Sequence, residues 1–177
     1  MRKLNFKILK REEGFTLIEL LIVIAVIGTL AVVLLIAVNP GEQLARTRDA
    51  GRQQGVGQLG RAMEAYAVGH NSTYITPAAT WITSLQTAGE ISTVPAAITY
   101  GSGTSACTTN AQNGFCYTSG AAGAAPMIVY ARLESKASST KCTAPAVPWT
   151  VYSSQDGRGG TTCSQAEPTT GAQTFVP

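Results

Sequence analysis

The sequence predicts an α+β protein in which one long N-terminal helix packs on a small antiparallel sheet. Three observations lead to this fold class: a predominantly apolar run at residues 15–38, an amphipathic helical pattern up to residue 70, and short β-branched or aromatic segments between residues 115 and 153. An apolar run of this length predicts a membrane helix, whereas an amphipathic helix needs a surface on which to pack. The sheet is the expected surface.

The apolar run contains one charged side chain, Glu19. Its 24 residues, from 15 to 38, would form a helix about 36 Å long, enough to cross a hydrocarbon core about 30 Å thick. A carboxylate within such a span costs a few kcal/mol unless another group neutralises it. We therefore predict that Glu19 has a function.

The residues around Glu19 form a motif. A short basic leader precedes Gly14 and Phe15, and Thr-Leu-Ile-Glu-Leu-Leu follows at residues 16–21. This segment resembles the type IV prepilin and pseudopilin signature. The resemblance implies that a membrane-embedded prepilin peptidase cleaves between Gly14 and Phe15 and methylates the new N-terminal Phe15. It also implies that Glu19 pairs with the amine of a neighbouring subunit during assembly.

Two other interpretations of the N-terminus explain less. A secretory signal peptide has an apolar core of about 7 to 15 residues and a small-residue cleavage site. This apolar run is longer, and Ala37-Val38-Asn39 does not end in a small residue. A plain membrane anchor with Glu19 near the interface explains the apolar run but leaves the Gly-Phe-Thr-Leu-Ile-Glu string without a role.

Positive charge is concentrated before the span. The positive-inside tendency keeps this end of the chain cytoplasmic, because five basic residues precede the apolar run: Arg2, Lys3, Lys7, Lys10 and Arg11. Removing residues 1–14 changes the formal charge from +3 to zero. The basic character therefore belongs to the leader and does not indicate nucleic-acid binding.

A second helical pattern follows the apolar run. Pro40 lacks a backbone donor and clashes with the preceding turn, so the first helix must kink or stop there. In residues 42–70 one apolar stripe recurs at helical spacing, and it consists of Val56, Leu59, Met63 and Tyr66. We expect this stripe to be buried against the sheet.

Charged residues and glycines share the second helical pattern. Its polarity comes from Arg46, Arg48, Arg52, Arg61 and Glu64, with Asp49 three residues before Arg52. Four glycines, each costing about 1 kcal/mol relative to alanine in a helix, interrupt the pattern: Gly51, Gly55, Gly57 and Gly60. They indicate either close approach between helices or a frayed segment that only tertiary contacts stabilise.

These patterns divide the chain into four parts. Residues 1–14 are the expected leader, residues 15–38 the membrane-spanning or filament-core half of the long helix, and residues 39–70 its amphipathic half. Residues 71–177 are the expected globular head. The resemblance to pilins agrees with this order, because those proteins extend one long helix from the membrane into the head.

The head shows three strand patterns. They are residues 115–118, 127–133 and 149–153, which are rich in aromatic or β-branched side chains. A hairpin loop is expected from Gly120 to Pro126, and a short helix or turn at residues 81–85. Residues 101–125 and 153–177 are rich in Gly, Ser, Thr and Ala and are interpreted as loops.

Four cysteines lie in the head: Cys107, Cys116, Cys142 and Cys163. An even number in an oxidising compartment predicts two disulfides with three possible pairings. Sequence proximity favours Cys107–Cys116 and Cys142–Cys163. No two cysteines have the short spacing of a zinc site, and the chain has one histidine, so no metal is expected.

No enzyme activity or cofactor is predicted. His70 has no local carboxylate motif that would support Ser–His–Asp chemistry. Asp156 and Glu167 supply too few oxygen ligands for a calcium site. Direct nucleic-acid binding is not expected either, because the basic residues of the head are dispersed: Arg132, Lys136, Lys141 and Arg158.

The sequence thus predicts a structural subunit of a type IV pilus-like filament. The resemblance implies that its partners are copies of itself and related pilins, a prepilin peptidase, an inner-membrane assembly platform, and membrane lipid before assembly. The expected locations are the cytoplasmic membrane before assembly and an extracellular or periplasmic filament afterwards. Two alternatives stay open: a pseudopilin of a type II secretion system, and a membrane-tethered binding module that does not polymerise.

Overall fold

The computed structural model describes residues 14–101 and 103–177, so the predicted leader lies outside the described residues except for Gly14. The chain divides into two compact units, Met1–Pro40 and Gly41–Pro177. We call the second the globular unit.

The first unit contains one helix, α1, which spans Leu17–Val38. It ends at Asn39, which adopts a left-handed conformation with φ of 46°. Pro40 follows and begins the next helix, α2, which spans Pro40–Gly69. Proline cannot continue a helix but suits the first helical position, where its missing N–H group would have no partner. The same residue therefore ends one helix and begins the other.

The globular unit is built on a five-stranded antiparallel sheet in which each strand pairs with its neighbour in sequence. The strands are β1 (Cys116–Ser119), β2 (Met127–Arg132), β3 (Val147–Ser153), β4 (Arg158–Ser164) and β5 (Phe175–Val176). Two short helices, α3 (Trp81–Thr87) and α4 (Lys136–Ser139), lie in the connections. The predicted fold class is confirmed.

The first three strands match the predicted segments, but β4 and β5 correct the prediction that residues 153–177 form loops. β4 reads Arg-Gly-Gly-Thr-Thr-Cys-Ser and offers almost no large apolar side chain as a sequence signal. Its seven residues pair with β3 from Ser153↔Arg158 to Val147↔Ser164. Backbone pairing to an already buried strand, rather than side-chain pattern, therefore makes β4 a strand.

The sheet carries apolar clusters on both faces. Alternate residues of β2 point to opposite sides, as the strand period of two requires. One face packs with α2 and α3 into the main core, which includes Val56, Leu59, Met63, Trp81, Ile82, Leu85, Met127 and Val129. The other face has a smaller cluster: Cys107, Cys116, Ile128, Tyr130, Trp149 and Val151. The predicted stripe on α2 is buried, with Tyr66 partly so.

Two disulfides close loops of the globular unit. They join Cys107 to Cys116 and Cys142 to Cys163, the two pairs that sequence proximity favoured. The first attaches the segment before β1 to that strand. The second attaches the segment after α4 to β4. Both bonds thus hold loop segments to the sheet.

Two glycines of α2 allow the sheet to approach its backbone. A Cβ atom on Gly60 would lie 2.2 Å from the ring of Tyr152, and one on Gly55 would lie 2.5 Å from the ring of Phe115. The close approach is therefore between α2 and aromatic side chains of the sheet and its flank. Gly51, by contrast, has no atom of the described residues within 4 Å of its Cβ position, apart from its chain neighbours and the adjacent backbone of α2.

We predict opposite effects for alanine at two of these glycines. Gly60→Ala should lower the free energy of unfolding by about 1–3 kcal/mol, because the new methyl group overlaps the Tyr152 ring. Gly51→Ala, the matched control in open space, should raise it by about 0.5–1 kcal/mol through helix propensity. Urea unfolding of the full chain in detergent micelles, followed by tryptophan fluorescence, measures both. A stabilised Gly60→Ala would contradict the close packing.

Candidate processing and assembly segment

The predicted cleavage position lies just before α1. Gly14, Phe15 and Thr16 have no regular secondary structure, and α1 begins at Leu17. The Phe15 side chain is 88% exposed, and, apart from the chain neighbours of Gly14, no atom of the described residues lies within 4 Å of the Gly14 Cβ position. The bond between Gly14 and Phe15 is therefore in an accessible, non-helical segment.

Glu19 and Thr16 form a reciprocal cap at the start of α1. The Thr16 backbone N–H donates to Glu19 Oε2 at 2.9 Å, and the Thr16 hydroxyl donates to the same oxygen at 2.7 Å. In return, the Glu19 N–H donates to Thr16 Oγ1 at 3.3 Å. This is a capping box, which satisfies backbone donors that the first helical turn leaves without partners. It holds the Glu19 carboxylate close to the predicted new N-terminus.

The capping role of Thr16 was missed in the sequence. A Thr-x-x-Glu string directly before an apolar run is the usual sequence signal for a capping box. Residues 16–19 are such a string, so the same residues encode both the family motif and the cap.

α1 has the length and composition of a membrane span. Residues Leu17–Ala37 have a mean hydropathy of 3.2, and none of the span is buried within the chain. Glu19 is the single ionisable side chain in that stretch. An apolar surface of this size needs a non-aqueous environment, which indicates membrane anchoring.

A second concentration of charge lies between α2 and the loops that follow β2. Arg52 is 1% exposed and Asp49 is 3% exposed, so two of the polar residues of α2 are buried. Arg52 Nη1 donates to Asp49 Oδ1 at 2.8 Å, and Arg52 Nη2 donates to Glu134 Oε1 at 3.1 Å. The guanidinium also lies 4.1 Å from the centre of the Tyr100 ring.

Further donors complete this buried cluster. Glu134 accepts from Arg48 and, at 2.5 Å, from the Gly101 N–H. Asp49 accepts from the backbone N–H groups of Glu134 and Ser135, each at 2.9 Å. The cluster therefore joins α2 to two segments that are distant in sequence. No stretch of neighbouring residues contains all the charged groups and donors of the cluster.

Both carboxylates of the cluster are held in the ionised form. Burial would raise the pKa of Asp49, but hydrogen bonds from Ser135, Glu134 and Ser138 outweigh it and leave the pKa below its ordinary value. Burial would likewise raise the pKa of Glu134, but hydrogen bonds from Gly101 and Arg48 outweigh the effect of burial and leave the pKa below its ordinary value. Such carboxylates act as structural cross-links, because a general acid or base needs a pKa near the working pH.

Asp156 and Glu167, the carboxylates considered as calcium ligands, also bind protein donors. Asp156 accepts from the Gln173 N–H at 2.9 Å. Glu167 accepts from the Thr108 N–H at 2.5 Å, the Thr109 N–H at 3.1 Å and the Tyr130 hydroxyl at 2.8 Å. Among the described residues, no group of three or more His, Cys, Asp or Glu could hold a metal ion. Both carboxylates fasten segments of the globular unit together.

Comparison with known proteins identifies the N-terminal segment. Residues 9–35 match the prokaryotic N-terminal methylation motif, the signature of type IV prepilins and pseudopilins. No curated protein and no solved structure matches the chain. The match covers Gly14, Phe15, Glu19 and most of α1. It supports a type IV pilin or pseudopilin, a structural rather than an enzymatic class.

We predict that Glu167 makes the stability of the globular unit depend on acid pH. Burial opposes ionisation, but hydrogen bonds from Thr109, Thr108 and Tyr130 lower the pKa of Glu167 from 4.5 to about 2. Its contribution is therefore fully present above pH 4.5 and is lost as the pH falls through 2. Glu167→Gln should lose stability at pH 6 and show a smaller further loss between pH 5 and pH 2 than the wild type.

Glu90→Gln is the matched control for this prediction, since the Glu90 side chain accepts no hydrogen bond in the described part of the chain. The measurement is the urea midpoint of each full-length variant in detergent at several pH values. Parallel pH profiles for the wild type and Glu167→Gln would show that the Glu167 carboxylate does not stabilise the fold.

Proposed function

We propose that the chain is a structural subunit of a type IV pilus-like filament, processed by a prepilin peptidase and assembled through α1. The observation that carries this proposal is the position of Glu19. It is the one ionisable side chain of a membrane-length helix. It lies four residues after Phe15, within a matched methylation motif.

Cleavage after Gly14 would create a new charged group beside this carboxylate. The free amine of Phe15 is positive, and a carboxylate has lone pairs for several donors at once. Thr16 occupies one oxygen of Glu19 in the unprocessed chain, so the second oxygen can accept from an amine. An isolated charge in an apolar helix bundle is costly, whereas a paired one is much less so. The Phe15 amine of a neighbouring subunit is the proposed partner.

The apolar surface of α1 suits two successive environments, the membrane before assembly and the filament core afterwards. Before assembly, residues 15–38 would hold the subunit in the cytoplasmic membrane with the basic leader on the cytoplasmic side. During assembly, an inner-membrane platform would extract the subunit, and the α1 helices of successive copies would bundle in the filament core. Residues 71–177 would then form the head on the outside of the filament.

A type II secretion pseudopilin is the alternative within the same class, because the methylation motif serves pilins and pseudopilins alike. A membrane-tethered binding module is the alternative from another class. The mature N-terminus separates this module from both pilin-like functions, since a simple anchor has no reason to lose 14 residues and gain a methyl group.

We expect processing to depend on the size of residue 14. Gly14→Ala should be partly cleaved, whereas Gly14→Trp should accumulate as the full-length precursor, because a bulky side chain blocks access to the bond before Phe15. Intact mass spectrometry of membrane-extracted protein distinguishes the precursor from a product that lacks 14 residues and carries one methyl group. Normal cleavage of Gly14→Trp would rule out this cleavage site.

We expect assembly to depend on the charge of residue 19. Glu19→Ala and the nearly isosteric Glu19→Gln should both insert into the membrane and be cleaved, but filaments recovered by shearing should be absent or disordered in electron micrographs. Thr29→Val is the control. It removes an uncharged polar group of α1, the Thr29 hydroxyl, which donates to the Val26 carbonyl. Normal filaments from Glu19→Gln would refute the charge-pairing role.

A further inference from the structure

The acidic and basic side chains of the globular unit are used very differently. Residues 41–177 contain seven acidic and eight basic side chains. Six of the acidic side chains accept hydrogen bonds within the described residues: Glu42, Asp49, Glu64, Glu134, Asp156 and Glu167. Five of the basic side chains have no ion pair there: Arg61, Arg132, Lys136, Lys141 and Arg158. Three acidic and three basic side chains form the ion pairs, so four carboxylates and five cations have none within the described residues, and the position of these cations decides where positive charge is concentrated.

Three of these cations line one groove between α2 and strands β3 and β4. The groove has a volume of about 590 Å³, with Arg61 from α2, Lys141 from the segment after α4 and Arg158 from the start of β4. The sequence had interpreted Lys141 and Arg158 as dispersed charges. They converge because the disulfide-linked segment and the β3–β4 hairpin both fold toward α2.

The rest of the groove lining favours an anion. No Asp or Glu side chain lies among the described lining residues, and Gln53, Thr150 and Thr161 add neutral hydrogen-bonding groups. Pro177 also lines the groove.

Arg61 lies beside a glycine one turn earlier in α2. Its Nη1 atom lies 3.6 Å from the position that a Cβ atom on Gly57 would occupy, and its Nη2 atom lies at 3.9 Å. The guanidinium therefore lies over the bare backbone of Gly57, which also lines the groove. A larger side chain at residue 57 would compete with Arg61 for this space.

Arg158 is positioned by an aromatic ring. Its guanidinium carbon lies 4.4 Å from the centre of the Phe175 ring, a cation–π contact that orients the guanidinium while leaving its N–H groups available. The Phe175 ring is itself fixed against β4, since a Cβ atom on Gly160 would lie 2.6 Å from it. Arg158 is thus held in place before any ligand arrives.

Lys141 is held beside β4 by the disulfide at the next residue. Cys142 is bonded to Cys163 of β4, so the backbone of Lys141 cannot move far from the strand that carries Arg158. Arg158 and the backbone of Lys141 therefore each have a structural support. Preorganisation of this kind reduces the entropy cost of binding a ligand.

We propose that this groove, named here the cationic groove, binds a phosphate group. Three positive charges match a multiply charged phosphate better than a single carboxylate, and arginine forks fit phosphate oxygens bidentately. Nucleic acid is a poorer match because binding to single strands uses exposed aromatic rings, whereas Tyr152, the single aromatic residue among those described as lining the groove, is 8% exposed. The proposal is independent of filament assembly.

Two soluble probes distinguish the sources of such a phosphate. Tripolyphosphate represents a free multivalent phosphate, and glycerophosphoglycerol represents the headgroup of an anionic lipid. The ¹⁵N-labelled full chain in neutral detergent micelles is titrated with each at constant ionic strength. Gly157, Gly159 and Gly160 line the groove, so their amide signals report binding locally.

We expect saturable shifts of these glycine signals with tripolyphosphate. Arg61→Gln and Arg158→Gln should each weaken binding about tenfold, as the loss of a charge-assisted hydrogen bond does. Phe175→Leu, which keeps all three charges, should weaken binding to a smaller extent. Lys136→Gln is the matched control, because Lys136 is an exposed, unpaired cation outside the groove. The affinity of this variant for tripolyphosphate should be unchanged.

Each outcome decides the proposal. Groove-dependent binding of tripolyphosphate alone supports a free phosphate ligand, and binding of both probes shows that a lipid headgroup is sufficient. Ligand-free spectra show whether each variant retains the fold. A single-stranded oligonucleotide is titrated in the same way as a third probe. The proposal would be overturned if neither phosphate probe bound saturably, if Lys136→Gln weakened binding as much as the groove variants, or if the oligonucleotide alone bound.

Discussion

The docking of α2 on the antiparallel sheet is the contact on which the globular unit depends. The main core lies between them, and two glycines of α2 let aromatic rings approach its backbone to distances that a Cβ atom would prevent. The entropic cost of glycine in a helix is thereby exchanged for close packing. Of the four glycines at positions 51, 55, 57 and 60, only Gly55 and Gly60 take part in this contact, while Gly57 lies beside Arg61 and Gly51 faces open space.

Charge reinforces the same contact. Arg52 and Asp49 project from α2 into the protein and meet Glu134, whose segment follows β2. Burying ions is expensive unless hydrogen bonds satisfy them, and nearly every oxygen of both carboxylates has a donor here. Most acidic side chains of the unit accept hydrogen bonds from donors within it. The ion pairs use equal numbers of acidic and basic side chains, so the cationic groove follows from where Arg61, Lys141 and Arg158 lie and not from an excess of positive charge.

The N-terminal segment follows the opposite rule. The apolar side chains at residues 17–37 are exposed within the chain, and among the described residues Glu19 forms side-chain hydrogen bonds only with Thr16. The described part of the chain does not cover this apolar surface. The segment therefore needs an external apolar environment, as membrane anchoring provides; in the proposed function, neighbouring subunits would replace the lipid.

Local sequence pattern was enough to predict the apolar span, the amphipathic stripe of α2, the first three strands and the methylation motif around Glu19. These features depend on periodicity, length and a short string, which are properties of neighbouring residues. The pattern did not predict β4, whose glycines and threonines carry no strand signal until β3 supplies a partner, and it did not indicate that Arg52 is buried, because its partner Glu134 lies 82 residues away. The cationic groove depends on tertiary contacts, because its three cations lie far apart in the chain and converge when the helix, the disulfide and the hairpin are in place.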